Sequence, residues 1–325
     1  MSMWVYPPIP PDQLRQREED AQQRELQWYL NSLQPSLESL KEGLEECVEL
    51  LAPREPGSTL VLSSLRSESV KGYVTRVGTK IVKGDIQLRL PTVAPNTART
   101  QTNSNPSTRL TFKPSVDTSE LVLPQLTTTR SLVNGALDIV DTSRWAGSST
   151  DASFIAGQLR LLVDSLTEAR MCLKGQPAAT DLSTIPGMDW TVDSVSADVS
   201  EPTLPGHLSL HFVIQDASLV LIIRSLASIT PGGTPHTPIE SPFSLSGFGL
   251  RSKLLGLGPR LPTHDETGQV FTWRSNQDVV VREKVRVESG DPSLMSIAAK
   301  LSALEHEVLR WRFNLQTLMD DGGDD

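Results

Sequence analysis

Leucines recur at alternating steps of four and three residues between positions 26 and 51 of this 325-residue chain. The alternation is a heptad seam, which is typical of an α-helix that buries a narrow stripe against other helices. A helix over this span is about 38 Å long at ~1.5 Å per residue. Pro35 lies inside it, and we expect the helix to kink or restart there. The seam consists of Leu26, Leu30, Leu33, Leu37, Leu40, Leu44, Cys47 and Leu51.

The same alternation predicts two more helices, and a weaker pattern predicts a fourth from about Pro124 to Asp141. One helix follows Asp291, the expected N-cap, with Pro292 at its first position. The other opens after Asp151 and stops at Gly175. Their seams are Leu294, Ile297, Leu301, Leu304, Val308, Trp311, Leu315 and Leu318 for the C-terminal helix, and Ile155, Leu159, Leu162, Leu166, Ala169 and Leu173 for the middle one.

The segments between these helices alternate apolar and polar residues with a period of two, which is typical of β-strands. A meander is predicted over 59–65, 69–77 and 81–90, and two hairpins over 208–226 and 270–287. Residues 92–108, 176–205 and 230–266 are rich in Thr, Asn, Gly or Pro and are expected to be flexible loops.

The seams constrain the architecture because each buried Leu or Ile gains about 1.5–3 kcal/mol on leaving water. We therefore expect an α+β protein, with an antiparallel four-helix bundle formed by the N-terminal, middle and C-terminal helices beside a β-sheet domain. The alternative is a zipper between chains. The expected helical domain covers 12–52, 121–175 and 291–319, and the expected β domain covers 58–115 and 205–288.

Composition argues against several classes of partner and compartment. The net charge of -9 creates no general attraction for nucleic acid or anionic lipid. The longest apolar run, 219–223, is far shorter than the ~20 residues that span a bilayer. Two cysteines within predicted helices fit a reducing compartment. We expect a cytoplasmic protein without direct membrane insertion.

No arrangement of residues typical of catalysis, cofactor binding or metal binding is apparent, so we expect a non-enzymatic protein without cofactors. His207 and His211 lie about 13 Å apart along a predicted strand at ~3.3 Å per residue, too far for one metal ion, and are expected on its surface. Cys47 is a seam residue and is expected to pack in the core. Trp311 also lies on its seam, whereas Trp28 lies off it and is the candidate partner contact.

Several segments together resemble the Rogdi family, which includes the smaller regulatory subunit of the RAVE complex. The resemblance rests on the following residues: Arg24-Glu-Leu-Gln-Trp-Tyr-Leu30, Ser69-Val-Lys-Gly-Tyr-Val74, Asp85-Ile-Gln-Leu-Arg-Leu-Pro91, Leu166-Thr-Glu-Ala-Arg170, Leu208-Ser-Leu-His-Phe-Val-Ile214 and Val270-Phe-Thr-Trp273.

The resemblance implies a bundle of helices from both ends of the chain beside a β-domain. It also implies a non-catalytic role in a complex with a large β-propeller-containing subunit and an adaptor protein. That complex promotes reassembly of the peripheral sector of the vacuolar V-type ATPase onto its membrane sector, which supports vacuolar acidification. The protein would then be recruited through partners to vacuolar or endosomal membranes. The alternative function is a coiled-coil tether or scaffold in vesicle trafficking.

Overall fold

The computed structural model describes residues 10–92, 107–112, 120–144, 151–175, 186–229, 263–274 and 277–320. It is a mixed α+β fold with five α-helices and two antiparallel sheets in the described residues. The chain divides into two compact units. The first comprises Met1–Leu51, Thr128–Met171 and Ser296–Asp325, and the second comprises Ala52–Thr127 and Cys172–Met295.

Four of the described helices are long. They are α1 (Pro11–Leu50), α2 (Pro124–Ser143), α3 (Ala152–Lys174) and α5 (Pro292–Asp320), while α4 is the single turn Trp190–Asp193. The restart expected at Pro35 was wrong, because α1 runs through this residue. Proline removes one backbone hydrogen bond, but Leu33 and Leu37 are buried on either side and hold both halves in place.

The seam leucines are buried within this one chain. In α1, all seam residues from Leu30 to Leu51 are at most 2% exposed, and Leu26 is half-buried. The middle seam is buried from Ile155 to Leu173, and the C-terminal seam is buried except at its half-buried members Leu304 and Leu318. A zipper between chains would need these side chains to be available, so the structure disfavours that alternative.

Side-chain contacts connect the helices of the first unit. The Tyr29 hydroxyl donates to the carbonyl oxygen of Trp311 over 3.0 Å, which joins α1 to α5. An ion pair between Glu46 and Lys300 joins the same helices farther along, so α1 and α5 run antiparallel. Lys41 of α1 pairs with Asp141 of α2 at 2.6 Å, and Arg170 of α3 pairs with Glu305 of α5 at 2.6 Å.

The second unit contains both sheets. The first sheet has β1 (Ser58–Ser63), β2 (Val70–Val77), β3 (Lys80–Leu88), β4 (Thr108–Phe112), β5 (Leu121–Val122) and β6 (Ser200–Glu201), in the order β1-β2-β3-β4-β6 with β5 on β3. The second has β7 (Leu208–Gln215), β8 (Ser218–Ser228), β9 (Val270–Trp273) and β10 (Gln277–Gly290), in the order β7-β8-β10-β9. The rings of Phe112 and Phe212 meet edge-on at 6.2 Å, so β4 of the first sheet contacts β7 of the second.

The predicted hairpin β7–β8 is confirmed, and its turn also caps α3. Asp216 and Ala217 adopt φ values of 46° and 56°, as in the turn type that matches strand twist. Their N–H groups donate to the carbonyl oxygens of Lys174 and Leu173, both over 3.0 Å. These carbonyls would otherwise lack partners at the helix end. The predicted stop at Gly175 is confirmed, with φ +60°.

The segment 176–205 was expected to be a flexible loop, but its described part, 186–205, contains regular structure. The segment 186–205 contains α4, a 3₁₀ turn at Ala197–Val199 and β6. Trp190 is buried with Leu226, Trp273, Val279 and Val281 on the second sheet. A single aromatic in a polar segment gives no periodicity, which is why the sequence did not predict this packing. The expected loops 92–108 and 230–266 lie mostly outside the described residues.

Candidate partner-binding surface

An apolar groove lies between α1 and α5 in the helical unit. It has a volume of about 440 Å³ and is lined mainly by apolar surface. From α1 come Trp28, Tyr29 and Ser32. From α5 come Phe313, Asn314, Thr317 and Leu318.

Two aromatic side chains on this groove are exposed to an unusual degree. Trp28 is 69% exposed and Phe313 is 70% exposed. Large apolar side chains gain most from burial, and exposed groups of them mark binding surfaces more often than single ones do. The two rings lie on adjacent helices of one groove and therefore form a shared apolar surface rather than two scattered residues.

The base of the groove is fixed by Tyr29. Its ring is half-buried, and its hydroxyl bonds to Trp311, which is itself nearly buried on the α5 seam. Burial raises the pKa of the Tyr29 phenol, against smaller lowering contributions from Asn314 and Arg310. The phenol is therefore neutral near pH 7 and acts as a hydrogen-bond donor that holds the two helices together.

Charged residues lie beyond both ends of the groove. Arg310 is exposed beside Tyr29, toward the N-terminus of α5. At the other end, Asp20 of α1 lies nine residues before Tyr29, and Asp320 lies nine residues after Trp311. Since the helices are antiparallel and Tyr29 pairs with Trp311, these two positions are level along the helix pair. Around Asp20, α1 carries charges of both signs, because Arg17 and Arg24 flank Glu18, Glu19 and Asp20.

The sequence singled out Trp28 but missed Phe313. Both lie off their seams, so the same rule that marks Trp28 as a surface aromatic would have marked Phe313. Trp311 is buried, as expected of a seam residue. Trp28 and Phe313 reach one groove because of the antiparallel register of α1 against α5. The sequence pattern does not specify this register.

A second polar cluster lies on the outer face of the second sheet and is largely satisfied internally. Arg224 is 4% exposed, donates to both carboxylate oxygens of Glu266 at 2.7 Å, and lies 4.7 Å from the centre of the Trp190 ring. Lys284 donates to Glu266 at 2.6 Å. Burial opposes ionisation of Glu266, but the hydrogen bonds from Arg224 and Lys284 outweigh it and lower the pKa of this carboxyl. These groups neutralise one another and hold the 263–268 turn on the sheet.

The surface position expected for His211 was wrong. This side chain is 2% exposed, and its Nε2 lies 2.8 Å from the carbonyl oxygen of Gly187. Burial lowers the pKa of His211 to about 4, so the ring is neutral at pH 7 and its Nε2–H donates to Gly187. The strand is covered on both faces because the 186–199 segment packs over it. His207 is exposed, just before the strand begins.

The seam position of Cys47 is buried, as the heptad predicted. Burial raises the pKa of the Cys47 thiol to about 11, which keeps it protonated and unreactive near neutral pH.

Within the described residues, no three His, Cys, Asp or Glu side chains are grouped so that they could hold a metal ion. Of the helices in the described part of the chain, none has the length and apolar character needed to cross a membrane.

Long leucine-patterned helices together with two antiparallel sheets define a class of mixed α+β proteins in which the heptads are internal. A family model described as "Rogdi leucine zipper containing protein" matches residues 25–316. The chain therefore belongs to this family, which is not a known enzyme family. A search of curated proteins found no match.

Proposed function

We propose that this protein is a non-catalytic subunit of a RAVE-type complex that promotes assembly of the vacuolar V-type ATPase. It acts on the joining of the peripheral ATPase sector to the membrane sector and so supports vacuolar acidification. The observation that carries the proposal is the match to the Rogdi family over residues 25–316. Resemblance to this family implies the assembly role.

The proposed partners are a large β-propeller-containing subunit, an adaptor protein and subunits of the ATPase. Recruitment to vacuolar or endosomal membranes would go through these partners from the cytoplasm. The exposed pair Trp28 and Phe313 supports a binding role, since large aromatics dominate the energetics of protein interfaces.

The proposed architecture behind this role is an antiparallel four-helix bundle of α1, α2, α3 and α5. The contacts between α1 and α5, α1 and α2, and α3 and α5 support it. In such a bundle the seam side chains pack against one another, so partners bind the outward faces of the helices. The alternative tether that associates through its seams lacks this support, because the seams are buried within the chain.

Affinity purification of the full chain from its own cells tests the proposal. We expect a β-propeller protein and peripheral-sector ATPase subunits to co-purify in amounts comparable with the tagged chain. The control chain carries Leu37→Asp, which disrupts the buried seam of α1. It shows which proteins co-purify without the folded chain. Purification of the folded wild-type chain without either partner would contradict the proposal.

A further inference from the structure

We propose that the outer face of the first sheet binds an acidic segment of a partner protein, with one carboxylate of that segment held between Lys71 and Arg89. This binding site goes beyond the proposed function, because its occupant is defined by chemistry and not by a role in ATPase assembly.

A small polar pocket lies where β2 begins and β3 ends. Its volume is about 160 Å³, and Lys71 lies directly opposite Gln87 in the antiparallel register. The Arg89 N–H donates to the carbonyl oxygen of Ser69 over 2.8 Å, so this second pair follows the first. Side chains two residues apart on a strand share a face, and these four side chains therefore form one block on the outer face of the sheet. The pocket is lined by Glu68, Ser69, Lys71, Gln87 and Arg89.

The pocket carries an excess of positive charge. Lys71 and Arg89 contribute two positive charges, and Glu68 contributes one negative charge. Both cations are exposed, and within the part of the chain that the structure describes neither forms an ion pair. The neighbouring Arg109 differs, because it pairs with Asp85, and their hydrogen bond lowers the pKa of the Asp85 carboxyl. Lys71 and Arg89 therefore have donors available for an external anion.

The charge balance of the pocket favours a carboxylate. One carboxylate neutralises the net charge that Lys71, Arg89 and Glu68 leave, whereas a phosphate group carries about −1.5 to −2 near pH 7 and would leave negative charge beside Glu68. Lysine and arginine form strong, charge-assisted hydrogen bonds with carboxylate oxygens. A membrane surface is a poorer fit, because binding to anionic lipid takes a cluster of roughly four to eight Lys or Arg, and this pocket has two together with an acid.

Apolar side chains lie beside the pocket on the same face. Val61 of β1 lies opposite Tyr73 of β2, which follows Lys71 by two residues. Val61 is 66% exposed and Tyr73 is 36% exposed. In the turn that leads into β2, Leu65 is 88% exposed. Exposed apolar groups rimmed by polar residues mark surfaces that bind proteins, so we expect apolar residues on either side of the bound carboxylate.

The turn that carries Leu65 is held in place within the chain. The Ser64 hydroxyl oxygen accepts from the backbone N–H groups of Ser69 and Val70, both over 3.0 Å. Arg66 in this turn has a φ of 57°, a left-handed conformation that is unfavourable for a residue with a side chain. Such strain is found most often at functional sites. The exposed Arg66 adds a positive charge to the turn, and we expect a second acidic residue of the partner to pair with it.

The first test identifies what covers this face in cells. p-Benzoylphenylalanine replaces Leu65 in the full chain, and a control chain carries it at Val192, which is 77% exposed on α4. We expect position 65, but not position 192, to crosslink another protein within a segment that has Asp or Glu between apolar residues. A crosslink to this chain, to a second copy, to a segment without Asp or Glu, or to no protein would overturn the inference.

The second test titrates a synthetic peptide with the sequence of the crosslinked segment onto the full chain. We expect Lys71→Ala and Arg89→Ala each to weaken binding about tenfold, because each removes a charge-assisted hydrogen bond. Glu68→Gln removes the opposing charge and is expected to strengthen binding about threefold. Lys83→Ala is the matched control, since Lys83 is an exposed cation on the same face farther from the pocket, and it should leave binding unchanged. Binding that is insensitive to Lys71→Ala and Arg89→Ala, or weakened by Glu68→Gln, would overturn the inference.

The third test identifies the bound carboxylate by a double-mutant cycle. Each acidic residue of the peptide is changed in turn to its amide. One such peptide is expected to bind the wild-type chain about tenfold more weakly, yet to bind the double variant Lys71→Ala, Arg89→Ala as well as the acidic peptide does. Additive losses for every acidic residue would refute the pairing.

Arg66→Gly separates binding from folding. Glycine adopts a φ of 57° without strain, so the urea midpoint of this variant should not fall, while peptide binding should weaken. A lower midpoint or unchanged binding would contradict the role given to Arg66. If the binding tests fail while loss of the chain still impairs ATPase assembly, the carboxylate site is wrong and the proposed function stands. If they succeed while assembly is independent of the chain, the opposite holds.

Discussion

Arg76 and Asp291 form a buried ion pair, with 2.6 Å between Nε and Oδ2 and at most 2% exposure of either side chain. Arg76 also donates to the carbonyl oxygen of Gly78 over 2.5 Å. The other carboxylate oxygen of Asp291 accepts from the backbone N–H groups of Ser293, over 3.0 Å, and Leu294, over 3.4 Å. One carboxylate thus caps α5 and neutralises the end of β2.

Replacing Asp291 by Ala is expected to reduce the free energy of unfolding by about 3–5 kcal/mol, because it leaves a buried guanidinium unpaired and removes the helix cap. Urea unfolding followed by circular dichroism measures the change. Asp85→Ala is the matched control, since it breaks an Arg–Asp pair whose Arg109 is exposed. We expect at most about 1 kcal/mol there. Equal losses in both variants would contradict the role given to Asp291.

Gly175 should tolerate no side chain. Its φ is +60°, and a Cβ would lie 1.9 Å from the carbonyl oxygen of Ile214. Gly175→Ala is therefore expected to lower the free energy of unfolding by well over the ~1 kcal/mol that an unfavourable φ alone costs, because the hairpin must move off the end of α3. The control is Gly135→Ala within α2, where a Cβ meets nothing within 4 Å. That substitution should stabilise the protein by about 0.5–1 kcal/mol, again read from urea midpoints.

The burial of His211 predicts a pH-dependent stability. Its pKa in the folded protein is about 4, below the ordinary value of 6.5, so between these values the unfolded chain binds the proton and the folded chain does not. Stability from this site is complete above pH 6.5 and falls by about 3 kcal/mol as the pH drops to 4. Urea unfolding at a series of pH values, compared with His211→Gln, isolates the effect. A wild-type slope equal to that of the variant would refute this burial.

The helices were predictable because heptads report burial directly. Leu30, Ile155 and Leu301 are core residues, as their spacing requires, and Asp291 caps α5 as predicted. The helix restart expected at Pro35 was wrong because local propensity is weaker than burial of the flanking leucines. The position of Trp190 depended on tertiary packing that no local period reports.

The groove was predictable only in part. Trp28 lies off its seam, and this alone marks a surface aromatic. Its pairing with Phe313 requires the register of α1 against α5, which the Tyr29–Trp311 hydrogen bond fixes in three dimensions. The burial of His211 could not be predicted from the sequence either. Alternation along β7 predicts one solvent face, and the 186–199 segment that covers this face has no periodic pattern.

The proposed role in assembly of the V-type ATPase is tested most directly by the fraction of peripheral-sector subunits bound to vacuolar membranes in cells that lack the chain. We predict a clear fall in this fraction with a raised vacuolar pH, both restored by the wild-type chain. Normal assembly together with normal vacuolar pH in the cells without the chain would contradict the proposed role.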